Sequence, residues 1–364
     1  MHISLRPLLF LTCLFPSLAS AGEVWTVSPT GQGADFSSIQ DAIDAAVDGD
    51  TVLIEPGIDY DDTVTIQNKT LDLLVDGADP VGGVIVVTVK DIPANKRVSL
   101  SGMSGAVEVE NCAGEVLIVQ HTADERGIGF TGFNTFRATD SVGVTLVDCR
   151  FLATGSTSTF SDGRPAMAVQ NSRMMIYNSR AVGGAGYGDT CLGGVSNGGS
   201  GIEIAFGSSV RAVDSQFIGG PGGVSTCNFG LDGSPSNVQP GSELTMATHP
   251  EVSLSGDLVA REGRQFQLQV SGSPGSRVTS LTSTDLQYTV LPTGVGALHA
   301  ATPATLLFEG IIPTSGVLSL SMDAPFLGPM DESRTRYLQV FLDGAGNTRY
   351  LSNVLALTVV DSSL

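Results

Sequence analysis

Val144-Thr145-Leu146-Val147-Asp148-Cys149-Arg150-Phe151-Leu152 is followed 30 residues on by Met174-Met175-Ile176-Tyr177-Asn178-Ser179-Arg180-Ala181-Val182, and 36 residues after that by Val210-Arg211-Ala212-Val213-Asp214-Ser215-Gln216-Phe217-Ile218. The three stretches superpose position by position. Apolar residues alternate, a short polar residue holds the bend, and a second apolar position follows. Spacing of this order marks a stacked repeat, in which each unit buries its apolar face only against its neighbours. The columns expected inside are Val144, Met174 and Val210, then Leu146, Ile176 and Ala212, then Phe151, Ala181 and Phe217. Asp148, Asn178 and Asp214 share the bend, where a short polar side chain can bond nearby backbone and tolerate unusual dihedrals. Val116-Leu117-Ile118-Val119-Gln120-His121 is a weaker fourth copy. It sets His121 in the inward column with Cys149, as a packed side chain.

Upstream, Asp35 to Ala46 reads as an amphipathic helix, with Phe36, Ile39, Ile43 and Ala46 on one face. Ser37 and Gln40 fit a capping box, and Gly49 stands beyond the end. A buried strand, Thr51-Val52-Leu53-Ile54, stops at Pro56-Gly57. The opening Gly33 to Ala46, then Gly49-Asp50-Thr51-Val52-Leu53-Ile54-Glu55-Pro56-Gly57, resembles that of the right-handed parallel β-helix superfamily of pectate lyases and pectin methylesterases. The resemblance implies a solenoid whose first coil is closed by a helix.

The chain has 364 residues, long enough for two domains. With 45 glycines and 17 prolines it is not a long helical protein. Acidic residues outnumber basic ones 37 to 18, which disfavours nucleic acid and anionic lipid as partners. Residues 1–21 read as a secretory signal: an apolar run from Leu8 to Phe15 ends on Ala19-Ser20-Ala21. The run is too short to span a bilayer, and no later segment suits one. A secreted or cell-surface location is therefore expected, with Cys112, Cys149, Cys191 and Cys227 in the mature chain. Cys191 and Cys227 lie 36 residues apart in a stretch, Gly183 to Gly233, that holds 16 glycines. That stretch reads as long loops from consecutive coils, which a Cys191–Cys227 disulfide would staple.

Beyond about residue 240 the pattern becomes alternating. Phe266 to Val270, Val317 to Met322, Tyr337 to Leu342 and Val354 to Val360 read as strands, with a turn at 343–347. Tyr337-Leu338-Gln339 and Leu351-Ser352-Asn353 resemble a C-terminal module of exported proteins from some environmental bacteria. The expected fold is all-β: a signal at 1–21, a parallel β-helix with an N-terminal capping helix at 22–240, and a β-sandwich at 241–364.

The chemistry is less marked. The residues around Asp214 lack the apolar run and the preceding glutamine motif of a pectin methylesterase, so Asp214 reads first as a turn residue. A pectate lyase needs calcium and an arginine or lysine base. Arg150 and Arg180 match on successive coils beside Asp148 and Asn178, and together could grip an acidic sugar. Asp148 and Asp214, two repeats apart, meet the carboxylate spacing of a glycosidase, as would any regular ladder of turn aspartates. Asp148, Arg150, Arg180 and Asp214 are thus the candidates for catalysis. The expected function is non-catalytic binding or a structural role at the cell exterior, with polysaccharide as partner and no cofactor. The alternative is a lyase or hydrolase of acidic polysaccharide, in which calcium has a place.

Overall fold

A computed structural model describes residues 22–56, 60, 63–77, 86–124, 135–156, 161–188, 194–247, 252–290, 297–301, 304–329, 331–343 and 349–364. The signal expected at 1–21, Cys191 and most of the turn at 343–347 lie outside these. Among the described residues no helix is long and apolar enough to cross a membrane.

The first half is a parallel β-helix. Its largest sheet has nine parallel strands: Val24–Val27, Asp50–Ile54, Leu71–Val75, Arg97–Ser101, Glu115–Val119, Val144–Val147, Arg173–Tyr177, Ser209–Val213 and Glu243–Ala247. A second sheet of seven runs from Thr63–Gln67 to Ser236–Val238, and a third of four from Thr122–Asp124 to Gln216–Ile218. The first coils alternate between the large and second sheets; from Glu115–Val119 on, each circuit visits the large, third and second sheets in turn. Register follows the superposition read from the sequence. Val116, Val144, Met174 and Val210 are successive partners, as are Ile118, Leu146, Ile176 and Ala212. These columns are buried in one cluster with Phe136 and Phe151, and His121 is buried against Phe151. Each large side chain so buried contributes about 1.5–3 kcal/mol. The strand Glu243–Ala247 lies past the composition shift at 240, yet pairs in parallel with Ser209–Val213. Pro235, Pro240 and Gly241 sit in the last circuit and give it the look of a linker.

The corners explain the polar bend positions. Gln120, Asp148, Asn178 and Asp214 have φ between 44° and 54° and turn the chain from the large sheet to the third. Asp91, Asn111, Asp140 and Asn171 do the same on entry to the large sheet. Asn and Asp accept this left-handed region more readily than most residues. Neighbouring coils are stitched at both corners: the Asn178 amide donates to Asp148 (2.6 Å), and the Asn171 amide to Asp140 (2.7 Å). Just inside, serine hydroxyls accept from the backbone of the coil before: Cys149 N from Ser179 at 3.0 Å, Ser179 N from Ser215 at 3.2 Å.

The helix is shorter than expected, Ile39–Ala45, and its N-cap is Ser38, whose hydroxyl accepts from Asp41 N. Gln40 is not part of a capping box. Its side chain accepts from Thr65 N (2.7 Å) and donates to Asp44. Phe36 precedes the helix, bridges to Val27 and meets the edge of Trp25. Ile39, Ala42 and Ile43 enter the solenoid core, and Lys69 Nζ donates to the carbonyls of Ile43 and Ala46.

The glycine-rich stretch departs most from expectation. Residues 161–166, 183–188, 194–201, 219–224 and 229–235 form no regular strands, yet they pack on one another as a hydrogen-bonded bundle. Gly233 N donates to Gly220, Gly220 N to Gly199, Gly199 N to Gly184 and Gly184 N to Arg164, all at 2.8–2.9 Å. Glycines recur at three-residue spacing (Gly198 and Gly201, Gly219 and Gly222, Gly230 and Gly233), the period of an extended helix with three residues per turn. A Cβ at Gly184, Gly199, Gly220 or Gly233 would overlap a neighbouring backbone carbonyl. None of these four has positive φ, so close approach, not backbone freedom, requires glycine there.

The second half has a sheet of three antiparallel strands around Gln265–Ser271 and a larger sheet around Ser333–Asp343. One apolar cluster joins them, with Phe266, Leu268 and Val270 from the first and Val278, Val340, Leu342 and Leu357 from the second. Gln339, Ser352 and Asn353 are buried and bonded. Gln339 accepts from His299 N and donates to the carbonyls of Ala297 and Ser352, while Asn353 exchanges two hydrogen bonds with Leu254.

Candidate functional site

The second half lies against the outer face of the large parallel sheet. Leu117, Val119, Val147, Met175 and Tyr177 point out from the solenoid and are buried against Leu286, Ala297, Tyr337, Val354 and Ala356. The signal was present in the sequence. Strands such as Val116-Leu117-Ile118-Val119 are continuously apolar, as expected when a parallel sheet is covered on both faces. That face of the large sheet is therefore covered by the chain itself.

Two cavities open along one corner of the seam where the halves meet and mark a groove. One, of about 500 Å³, is lined by Asn178, Asp214, Gln216, Ser253, Ser271 and Asn353 among others. The other, of about 300 Å³, is lined by Asp76, Gln120 and Asp257 among others. Asp148 stands on the same corner between them, at the coil between Gln120 and Asn178, and lines neither. On the other side both cavities meet residues of the segment 252–259.

Arg150 and Arg180 are exposed backbone partners on adjacent strands of the third sheet, and Gln216 continues their row into the groove. Asp148 is partly buried, and burial raises its carboxyl above the usual range against the pull of the Asn178 amide. Asp214 is exposed at the ladder's end. The structure therefore brings Asp148, Arg150, Arg180 and Asp214 to one corner and its adjoining sheet, with Asn178 between the two aspartates. Among the described residues no three His, Cys, Asp or Glu are grouped to hold a metal ion.

Cys112, Cys149, His121 and His299 are held apart from this surface. Cys112 and Cys149 are free and buried, and burial pushes the Cys149 thiol up to about 12. His121 is wholly buried, stacked on Phe151, with Nε2 2.7 Å from the Gly105 carbonyl. His299 lies in the interface with Nε2 3.2 Å from Tyr177 OH. Glu115 lies there too, and its Oε1 accepts from Tyr288 N at 3.1 Å.

These buried groups set a pH dependence. Burial lifts Glu115 to about 7 from 4.5, so its contribution is complete below 4.5 and is lost as pH rises through about 7. Burial lowers His121 to about 4 and His299 to about 3 from 6.5. Their contribution is complete above 6.5 and is lost as pH falls toward those values. The melting temperature is expected to rise from pH 4.5 to near 6.5 and then decline through pH 7. In Glu115→Gln the decline above 6.5 disappears. Scanning calorimetry across this range checks it, and an unchanged decline in the variant refutes the assignment.

No protein-family model matches the sequence, and no curated protein is significantly similar to it. Among solved structures, the chain is similar to the enzymatically active domain of the bacteriophage CBA120 tailspike protein 2, at TM-score 0.19 and 12% identity over 94% of this chain. It spans 64% of that chain's length. It is also similar to a superoxide reductase (neelaredoxin) from Ignicoccus hospitalis, at TM-score 0.18 and 8% identity over 30% of this chain and 79% of the other.

Proposed function

We propose that the protein is an exported, non-catalytic binding module for polysaccharide, which lies along the groove between the coil corner and the second half. One observation carries the reading: the corner repeats a polar residue once per coil, at Gln120, Asp148, Asn178 and Asp214, with cavities beside Gln120 and beside Asn178 and Asp214, and a repeating polymer is the ligand that a repeating ladder suits. Adjacent coils are about 4.8 Å apart, so successive sugars meet successive members. Arg150 and Arg180 give the row beside it two cations for the carboxylates of an acidic sugar.

In this reading the solenoid is right-handed and of the pectate lyase-like type, capped by the helix Ile39–Ala45 and followed by a β-sandwich that forms the far wall. Cys191 pairs with Cys227 and pins the tip of the glycine bundle; Cys227 is not among the free thiols, which supports the pairing. The enzymic alternative draws on one observation, the raised carboxyl of Asp148 beside Arg150.

Titration calorimetry against polygalacturonate and neutral glucans tests the proposal. Binding to the acidic polymer is expected, with an Arg150→Ala/Arg180→Ala double variant about tenfold weaker, equivalent to about 1.4 kcal/mol. Unchanged affinity in the double variant would remove the arginine row from the site. Calcium-dependent release of unsaturated product, lost in Arg180→Ala, would replace binding by a lyase activity.

A further inference from the structure

The two ends of the solenoid differ. At the first, the helix Ile39–Ala45 drives Ile39, Ala42 and Ile43 into the core. At the last, among the described residues, the inward columns run out into the open. Val210 and Ala212 are buried, but their partners one coil on, Leu244 and Met246, are half-buried and 50% exposed respectively. Ile204 is buried, and its partner Val238 is 40% exposed. Phe217, last of the Phe151 and Ala181 column, is only half-buried. Among the described residues, the strands Gln216–Ile218, Ser236–Val238 and Glu243–Ala247 each end their sheet with one unpaired edge. Free strand edges beside an exposed apolar core are the arrangement that solenoids ordinarily cover, because both invite pairing.

The occupant of this end must bring matching strand edges and matching apolar columns, and it must tolerate the charge of the chain. The same end of a second copy meets all three conditions. Its columns and edges are the same ones. The net charge of −19 opposes self-association over most of the surface, but residues 216–247 contain only Asp232 and Glu243 as charged side chains. A two-fold axis perpendicular to both the coil axis and the strand reverses strand direction, so the two Glu243–Ala247 edges meet antiparallel. With the axis through Thr245, Leu244 of one copy falls opposite Met246 of the other, both pointing inward. Glu243 then faces Ala247 and not its own copy, so no like charges are opposed. A self-complementary contact of this kind closes at two subunits.

We propose that two copies of the chain join end to end through the free edge Glu243–Ala247, each closing the other's open core with Leu244, Met246 and Val238. This dimer is independent of any polysaccharide. Sedimentation velocity on the full mature chain, from about 1 to 100 μM, is expected to show a dimer whose dissociation falls at or below the micromolar range. Met246→Lys, at an exposed position, is expected to weaken it at least 100-fold while the melting temperature and circular dichroism stay those of the parent monomer. Thr245→Cys, whose backbone sits opposite its own copy within disulfide reach, is expected to form a covalent dimer on mild oxidation. A parent that is monomeric throughout the range overturns the proposal. So does a dimer that survives Met246→Lys and fails to cross-link through Thr245→Cys, or a monomer that instead binds vesicles through this end.

Discussion

In a Gly199→Ala variant the unfolding midpoint falls sharply, by the equivalent of about 3 kcal/mol, whereas Gly155→Ala unfolds within about 0.5 kcal/mol of the parent. Both substitutions add one methyl group to the glycine-rich side of the solenoid. At Gly155 the new carbon lies 3.2 Å from the Ala185 carbonyl oxygen, tight but open to a small shift. At Gly199 it overlaps the Arg164 carbonyl, which is itself held by Gly184 N. Relief requires the segments to part, and that breaks the relay from Gly233 through Gly220 and Gly199 to Gly184. Such chains of backbone bonds polarise one another, so the loss exceeds that of one bond. Neither glycine has positive φ, and dihedral strain therefore does not separate the variants. Thermal melts followed by circular dichroism decide the matter: equal midpoints would mean that the stretch behaves as ordinary loop.

The same comparison shows where sequence reading stops. The coil register was legible because inward residues recur, and Val144, Met174 and Val210 are partners as the superposition requires. The corners were legible because Asp148, Asn178 and Asp214 are residues that tolerate the left-handed region. The bundle was not. Glycine in a sequence signals backbone freedom and the absence of a side chain equally, and only neighbours contributed by distant segments tell the two apart. Buried Tyr337, Gln339 and Asn353 carried no periodic signal either, since their partners lie across the interface or in other strands. Of the candidate site, Arg150, Arg180 and Asp148 were legible as columns. The groove was not, because its second wall, residues 252–259, comes from the other half of the chain.

The largest single loss at the interface is expected from Arg97→Met. Arg97 reaches out from the large sheet, and Nε donates to Tyr337 OH at 2.5 Å while the guanidinium lies over the same ring at 5.1 Å. Its Nη2 is 3.8 Å from Asp72 Oδ2. Asp72 is 4% exposed, and its other oxygen has no hydrogen-bond partner, so the arginine is the cation that makes a buried carboxylate tolerable there. Removing one member of a buried pair costs about 3–5 kcal/mol, because the remaining charge keeps its desolvation penalty without compensation. Methionine fills the volume of the arginine stem, so the loss reads out charge and hydrogen bonding more than packing. One further expectation separates this cause from simple disruption. Arg97→Met combined with Asp72→Leu recovers most of the stability, since no charge is left stranded. Calorimetry of the single and double variants at pH 7 supplies the comparison. If the double variant is no more stable than the single one, the interface is held by the ring stacking and the Tyr337 hydroxyl, and Asp72 is a bystander.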